Sequence, residues 1–236
     1  MLLKLSKIYE VPPPGNGRQI TIEEALGVQT PDYIKKVKSG NKKDLVFVQW
    51  NSRSFSWSKA EEITPLADYS DVILIQESGQ SIVPIREFSL ASHCELGSGS
   101  SIYVREGIEY QAVDTNDLMS HGEQGDFVVC GVKIGNLLAL SIYIRPLGSQ
   151  GSSIRDRIRF ISAMRVFVQP YKQAIIAGDF NDWGKVFSKH NDLEESPWDD
   201  YLNEDTVTLL NDGSITRIQS GRALDVTIGV NIPKFD

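Results

Sequence analysis

The chain has 236 residues, 41% of them hydrophobic, which is enough for one sizeable core. Its formal net charge of −7 argues against a protein that coats nucleic acid through bulk positive charge. No apolar run reaches the ~18 residues of a membrane helix, and the opening residues, broken by Lys4 and Lys7, make no signal peptide. The two cysteines, Cys94 and Cys130, form no disulfide framework and favour a reducing compartment. Cys130 sits in an apolar run and reads as a small buried hydrophobe.

Residues 1–43 differ in character from the rest of the chain and read as an N-terminal extension or linker, with residues 44–236 as one domain. The extension holds Pro12-Pro13-Pro14-Gly15-Asn16-Gly17, a Thr21-Ile22-Glu23-Glu24 helix start and a Lys-rich tract over 35–43. From Asp44 the pattern becomes a series of strands and helices. Leu45–Trp50 predicts a buried strand ending at Asn51, and Ser58–Ala67 a helix in which Pro65 is awkward. Asp71–Gln76 predicts a second buried strand, ending at Glu77. Phe88–Cys94, Ser100–Val104 and Phe127–Ile134 come next as strands. Gly135-Asn136 is a hairpin signal leading into Leu137–Ile144. Ile154, Ile158, Ile161, Met164 and Val168 mark one helix face, and the arginines around it, including Arg157, read as solvated. The apolar run Ala174–Ala177 enters Gly178, Asp179, Phe180 and Asn181. Two short strands close the series, Thr206–Leu210 and Ala223–Ile228. Helix-separated strands at both ends with hairpins between them predict an α+β layered sandwich with mixed sheets.

Side chains alternate along extended chain, so Asp179 and Asn181 should share one face at the end of their strand. Asn51, Glu77, Tyr143, Asp179, Asn181 and Asp225 all fall at or near the C-terminal part of a predicted strand, and that shared placement points to one pocket. Gathered carboxylates repel one another unless a cation neutralises them. An oxygen-rich set without cysteine favours Mg²⁺ or Mn²⁺ over Zn²⁺. A metal site of this kind is compatible with an acidic chain. Trp183, next to Asn181, is the best placed of four tryptophans to stack on a base.

The segments Gln49–Ser54, Ile75-Gln76-Glu77, Ser100–Arg105, Ser141–Pro146, Gly178–Asn181 and Ala223–Ile228 occur in an order that resembles the endonuclease/exonuclease/phosphatase superfamily. The resemblance is nearest to the apurinic-type endonuclease domain of non-LTR retrotransposons. It implies a four-layer α/β/β/α sandwich with two mixed β-sheets face to face. It also implies a Mg²⁺- or Mn²⁺-dependent enzyme that hydrolyses DNA phosphodiester bonds, acting in the nucleus. Carried over residue by residue, it makes Glu77 the main metal ligand assisted by Asn51. Asp179 would orient or deprotonate the attacking water, Asn181 would contact the scissile phosphate, and Tyr143 would stabilise its developing charge. Asp225 would help position the catalytic groups, and Thr216-Arg217 resembles a substrate-contacting step. The superfamily's closing Ser-Asp-His is absent: 11 residues lie beyond Asp225, while His93, His121 and His190 all precede it. The expectation is a chain truncated before its last strand, or one that has lost it, with feeble nicking. Two alternatives remain: a phosphatase or lipid phosphodiesterase of the same superfamily, or a catalytically dead binding module.

Overall fold

The computed structural model describes residues 4–10, 44–148, 153–181, 196–210 and 225–232. One sheet runs, in spatial order, β1 (Lys4–Glu10), β2 (Asp44–Asn51), β3 (Val72–Gln76), β5 (Ser100–Arg105) and β4 (Phe88–Cys94). The other runs β10 (Val207–Leu209), β11 (Asp225–Val230), β9 (Gln173–Asp179), β8 (Leu137–Ile144), β7 (Phe127–Ile134) and β6 (Gln111–Val113). Both sheets are mixed. β1, β2 and β3 are mutually parallel and β3 pairs antiparallel with β5. In the second sheet β8 and β9 are parallel, and β11 returns antiparallel to β9. Among the described residues the helices are α1 (Trp57–Ala67), α2 (Asn116–Met119), α3 (Ile154–Val168) and α4 (Asp199–Leu202). Two mixed sheets face each other with helices outside them, the four-layer sandwich expected from the sequence.

The three layers of apolar packing arise from period-2 alternation along the strands. Between the sheets lie Phe47, Val72, Leu74, Ile102, Val132, Ala139, Ile175 and Ala177. The intervening residues Val48, Trp50, Ile73 and Ile75 face outward and are covered by Ala60, Ile63 and Ala67 of α1. On the far side, Leu138, Leu140, Ile142 and Ile176 pack under Phe160, Ile161, Met164 and Val168 of α3.

The row facing between the sheets changes character along each strand. In β2 it runs Leu45, Phe47, Gln49, Asn51, and in β3 Val72, Leu74, Gln76. In β8 it runs Leu137, Ala139, Ser141, Tyr143, and in β9 Ile175, Ala177, Asp179. The apolar start holds the sheets together. The middle pairs internally across the gap: Gln76 Nε2 donates to Ser141 Oγ at 2.9 Å, and Thr227 Oγ1 to Gln49 Oε1 at 2.9 Å. Ser100 Oγ and Ser141 Oγ meet at 2.8 Å. The polar end is left for the site.

The structure departs from the sequence reading in several places. Seven residues of the segment read as an extension form β1, which covers the outer edge of β2. The buried face of α3 is Arg157, Phe160, Ile161, Met164 and Val168, whereas Ile154 and Ile158 are exposed. α1 passes through Pro65, which lies on its exposed side. β9 continues through Gly178 to Asp179, so this glycine is inside a strand and not at its end. Asp225 opens β11 instead of closing it. Because β11 is antiparallel, Asp225 still lies opposite Asp179.

Candidate functional site

The site forms where the C-terminal ends of β2 and β3 on one sheet meet those of β8 and β9 on the other. Asn51 is the junction. Its Nδ2 donates to Glu77 Oε1 at 2.9 Å and to Asp179 Oδ2 at 2.6 Å. Its Oδ1 accepts from Arg53 N at 3.2 Å, which is consistent with the amide nitrogen facing the carboxylates. Glu77 and Asn181 both adopt left-handed backbone, φ 50° and 44°. That conformation is strained for a non-glycine residue and persists only where its surroundings over-determine it. For Asn181, its own N–H donates to Asp179 Oδ1 at 3.0 Å and its Nδ2 to Ile144 O at 3.0 Å.

Tyr143 lies beside Asp179 in the β8–β9 register. Burial raises its phenol above the ordinary tyrosine value. Glu77 and Asp179 push the same way, while a hydrogen bond with Ser98 and the charge of Arg145 oppose them. The phenol therefore stays protonated at neutral pH and can donate a hydrogen bond. Ser98 belongs to the turn at 97–99, which meets the turn at 78–79: Gly79 N donates to Ser98 O at 2.8 Å. A Cβ on Gly99 would come within 2.3 Å of Gly79 O, so the close approach of the two turns requires glycine there. The turn at 97–99 thus carries a neighbour of Tyr143, and Ser100 and Ser101 after it already belong to β5.

Two cations hold the backbone around these groups. Lys59 Nζ donates to the carbonyls of Ser52, Arg53 (2.7 Å) and Ser54 (3.0 Å), gathering the turn just after Asn51. Ser54 N in turn donates to Glu77 O at 2.8 Å. On the second sheet, the fully buried Arg157 reaches the carbonyls of Arg145 (2.7 Å), Asn181 (3.2 Å) and Phe180 (3.4 Å). Arg145 pairs with the buried Asp126 at 3.0 Å.

Among the described residues, no three or more His, Cys, Asp or Glu gather as a metal cage. Two carboxylates converging on one amide nitrogen do offer hard oxygen donors. Mg²⁺ and Mn²⁺ are commonly held by one or two carboxylates, with water and substrate phosphate completing the shell. The residues present fit such an ion and do not fit a closed zinc site. A groove of about 500 Å³ lined by Gln111, Lys133, Tyr171 and Lys172 shares no residue with this site.

No protein-family model and no curated protein matches the chain. Solved structures do. The endonuclease domain of TRAS1, a telomere-specific non-LTR retrotransposon, superposes with a TM-score of 0.53 at 18% identity, over 77% of this chain and 82% of that one. D. rerio TDP2 complexed with single-strand DNA product gives 0.51 at 12% identity, over 79% and 83%. An endonuclease/exonuclease/phosphatase from Bacteroides vulgatus gives 0.51 at 12%, over 78% and 86%. The chain has the endonuclease/exonuclease/phosphatase fold.

Within that fold, Asn51, Glu77, Tyr143, Asp179 and Asn181 come together at one end of the sandwich. Asp225 is opposite Asp179 in backbone register. Trp183, Thr216, Arg217 and His190 lie outside the described residues. Trp198 is buried against Phe180, ring centroids 4.5 Å apart, and is a core residue. His93 is held by Ser101, its Nδ1 2.9 Å from the hydroxyl. The sequence reading placed Arg157 on a solvated helix face, whereas the structure buries it, and it passed over Lys59. Arg157 was legible in principle, because it shares the helical spacing of Ile161, Met164 and Val168.

Proposed function

We propose that the chain is a divalent-cation-dependent phosphodiesterase that nicks DNA, with Asn51, Glu77, Tyr143, Asp179 and Asn181 at its reaction centre. The observation that carries this reading is Asn51 Nδ2 shared by Glu77 and Asp179, which joins the two sheets at one point. The DNA-acting proteins named among the structural neighbours support DNA as substrate. Glu77 holds the cation, with Asn51 beside it and able to present Oδ1 after turning its amide. When bound, Mg²⁺ or Mn²⁺ supplies positive charge against the phosphate oxygens.

The chain's own groups then have separate tasks. Asp179, oriented by Asn51 and by the N–H of Asn181, accepts the proton of the attacking water. Asn181 uses one amide hydrogen on Ile144 O, and offers the other to a phosphate oxygen without adding charge. Tyr143 donates from its protonated phenol to the oxygen on which charge grows. Asp225, opposite Asp179 in backbone register, is proposed to help position the catalytic groups. Thr216, Arg217 and Trp183 are proposed to contact the substrate.

The test is conversion of supercoiled plasmid to the open circle with Mn²⁺ and with EDTA, beside release of inorganic phosphate from a phosphomonoester. Cation-dependent nicking supports the reading. Phosphate release without nicking moves the chain to the phosphatase alternative. Nucleic-acid binding with neither activity makes it a binding module.

A further inference from the structure

We propose that Arg157 is a positioning residue for the reaction centre, acting through Asn181 and Asp179. The proposal rests on the catalytic tasks proposed for those two groups. α3 begins with Ser153 as its N-cap, whose Oγ accepts from Asp156 N at 3.2 Å. One position further on, Arg157 is fully buried. Its neighbours on the exposed side, Arg155 and Arg159, face solvent. Burying a charge is costly unless it is hydrogen-bonded, so the site of burial needs a reason.

The guanidinium spans two strand ends. Nη2 bonds Arg145 O, directly after β8, and Nη1 bonds Phe180 O and Asn181 O, directly after β9. The Asn181 side chain makes the reciprocal stitch, donating from Nδ2 to Ile144 O at 3.0 Å. Asn181 sits at φ 44°, a left-handed backbone that persists where its surroundings over-determine it. Arg157 holds its carbonyl with a rigid planar fork. It thereby fixes the turn in which Asn181 N donates to Asp179 Oδ1. An ammonium in its place is a single point and cannot span both strand ends as a fork does. The other wall, Asn51 and Glu77, is held separately by Lys59, so loss of Arg157 should disturb the two walls unequally.

The experiment compares Arg157→Met, Arg157→Lys and, as a control on the exposed side of α3, Arg159→Met. For each, thermal melting, Mn²⁺ affinity by calorimetry, kcat and KM for plasmid nicking, and hydrogen exchange of the Asn181 side-chain amide in ¹⁵N-asparagine-labelled protein are measured. The Asn181 resonance is assigned by its loss in Asn181→Ser. Displacement of a reacting group by about 1 Å costs roughly 10²-fold in rate. The expected result for Arg157→Met is a kcat drop of that order with Mn²⁺ affinity unchanged and Asn181 exchange accelerated. Arg157→Lys should fall between, and Arg159→Met should match wild type. If Arg157→Met does not fold, Arg157→Lys is judged by the same measurements. A folded Arg157 variant with wild-type kcat and wild-type Asn181 exchange overturns the proposal. So does a variant in which Mn²⁺ affinity, kcat and melting all fall together, since that marks a general structural role. Wild-type protein that turns over no phosphate ester defeats the enzymatic reading instead, and Asn181 exchange then decides the positioning claim alone.

Discussion

Asn51 Nδ2 donates to two carboxylates from two different sheets, which makes it the residue whose loss is most informative. Hydrogen bonds to charged groups contribute about 1.5–3 kcal/mol each. Asn51 and Glu77 are only half-buried, so water replaces part of both bonds, and Asn51→Ala should destabilise the cation-free protein by roughly 1–3 kcal/mol in urea titrations. Part of that loss should be recovered with Mn²⁺, as the ion takes over the neutralisation of Glu77 and Asp179. Equal destabilisation with and without Mn²⁺ would mean that Asn51 supports the fold and has no link to the ion. Glu77→Gln should sharply weaken Mn²⁺ binding in calorimetry, because a hard cation loses an anionic oxygen, whereas equal affinity would remove Glu77 from the metal site. Asn51, Glu77, Tyr143 and Asp179 were legible in the sequence because each interrupts an apolar strand pattern at its end. Arg157 was read as one of the solvated arginines around its helix, and Lys59 was not singled out. They act on backbone carbonyls, and nothing in the residue types around them announces which carbonyls will be near.

At the level of elements, the pairing of β8 with β9 carries half of the site, and Gly178 permits it. A Cβ at that position would lie 1.8 Å from Ile142 O and 2.6 Å from its carbonyl carbon. Gly178→Ala must push the strands apart just before Tyr143 and Asp179. Overpacking of this kind typically costs about 1–3 kcal/mol and occasionally more, and backbone against a Cβ belongs at the upper end. The variant should melt well below wild type and lose cation-dependent nicking even where it folds. Retained stability would show that the strands separate without cost. Most strands were readable from alternation and turn residues, as with the β7–β8 hairpin around Gly135-Asn136. β1 and β6 escaped the sequence reading. Seven residues of β1 gain strand character from β2 beside them, and the three residues of β6 are too short to show a period. The face of α3 was read a step out of phase because Ile154 and Ile158 look like core and Arg157 does not.

For the molecule as a whole, burial of ionisable hydroxyls and thiols sets its behaviour in alkali. Burial pushes Tyr103 up to about 12, and Tyr103 Oη also donates to Val83 O at 2.7 Å. Cys130 is likewise pushed up to about 12, and Tyr143 and Tyr201 are raised, in each case by burial first. The folded chain thus keeps protons that the unfolded chain releases near about 8.5 for cysteine and about 10 for tyrosine. Where the folded state binds more protons, stability falls as pH rises. The contribution is complete below the unfolded values and is lost between them and the raised folded values. The urea midpoint should accordingly hold steady from neutral pH to about 8 and decline progressively above about 9. A midpoint that stays level to about pH 11 would contradict the burial of these groups.

The hydroxyl and amide contacts across the gap, Gln76 with Ser141 and Thr227 with Gln49, have a consequence for how many alignments the sandwich can adopt. An interface made only of aliphatic side chains is nearly indifferent to sliding, because one methyl substitutes for another. A slip of one residue along a strand is about 3.3 Å, and here it would strand an amide or hydroxyl against hydrocarbon. Such pairs penalise the misaligned states while adding little to the aligned one. They act as a key that admits a single setting, and that setting is the one in which Asn51 reaches Asp179. Replacing Gln76 with Leu and Ser141 with Ala together should leave the melting temperature close to wild type. Mn²⁺ affinity should nonetheless drop and the amide resonances of residues 47–51 should broaden, as the sheets sample neighbouring settings and the two walls spend part of their time apart.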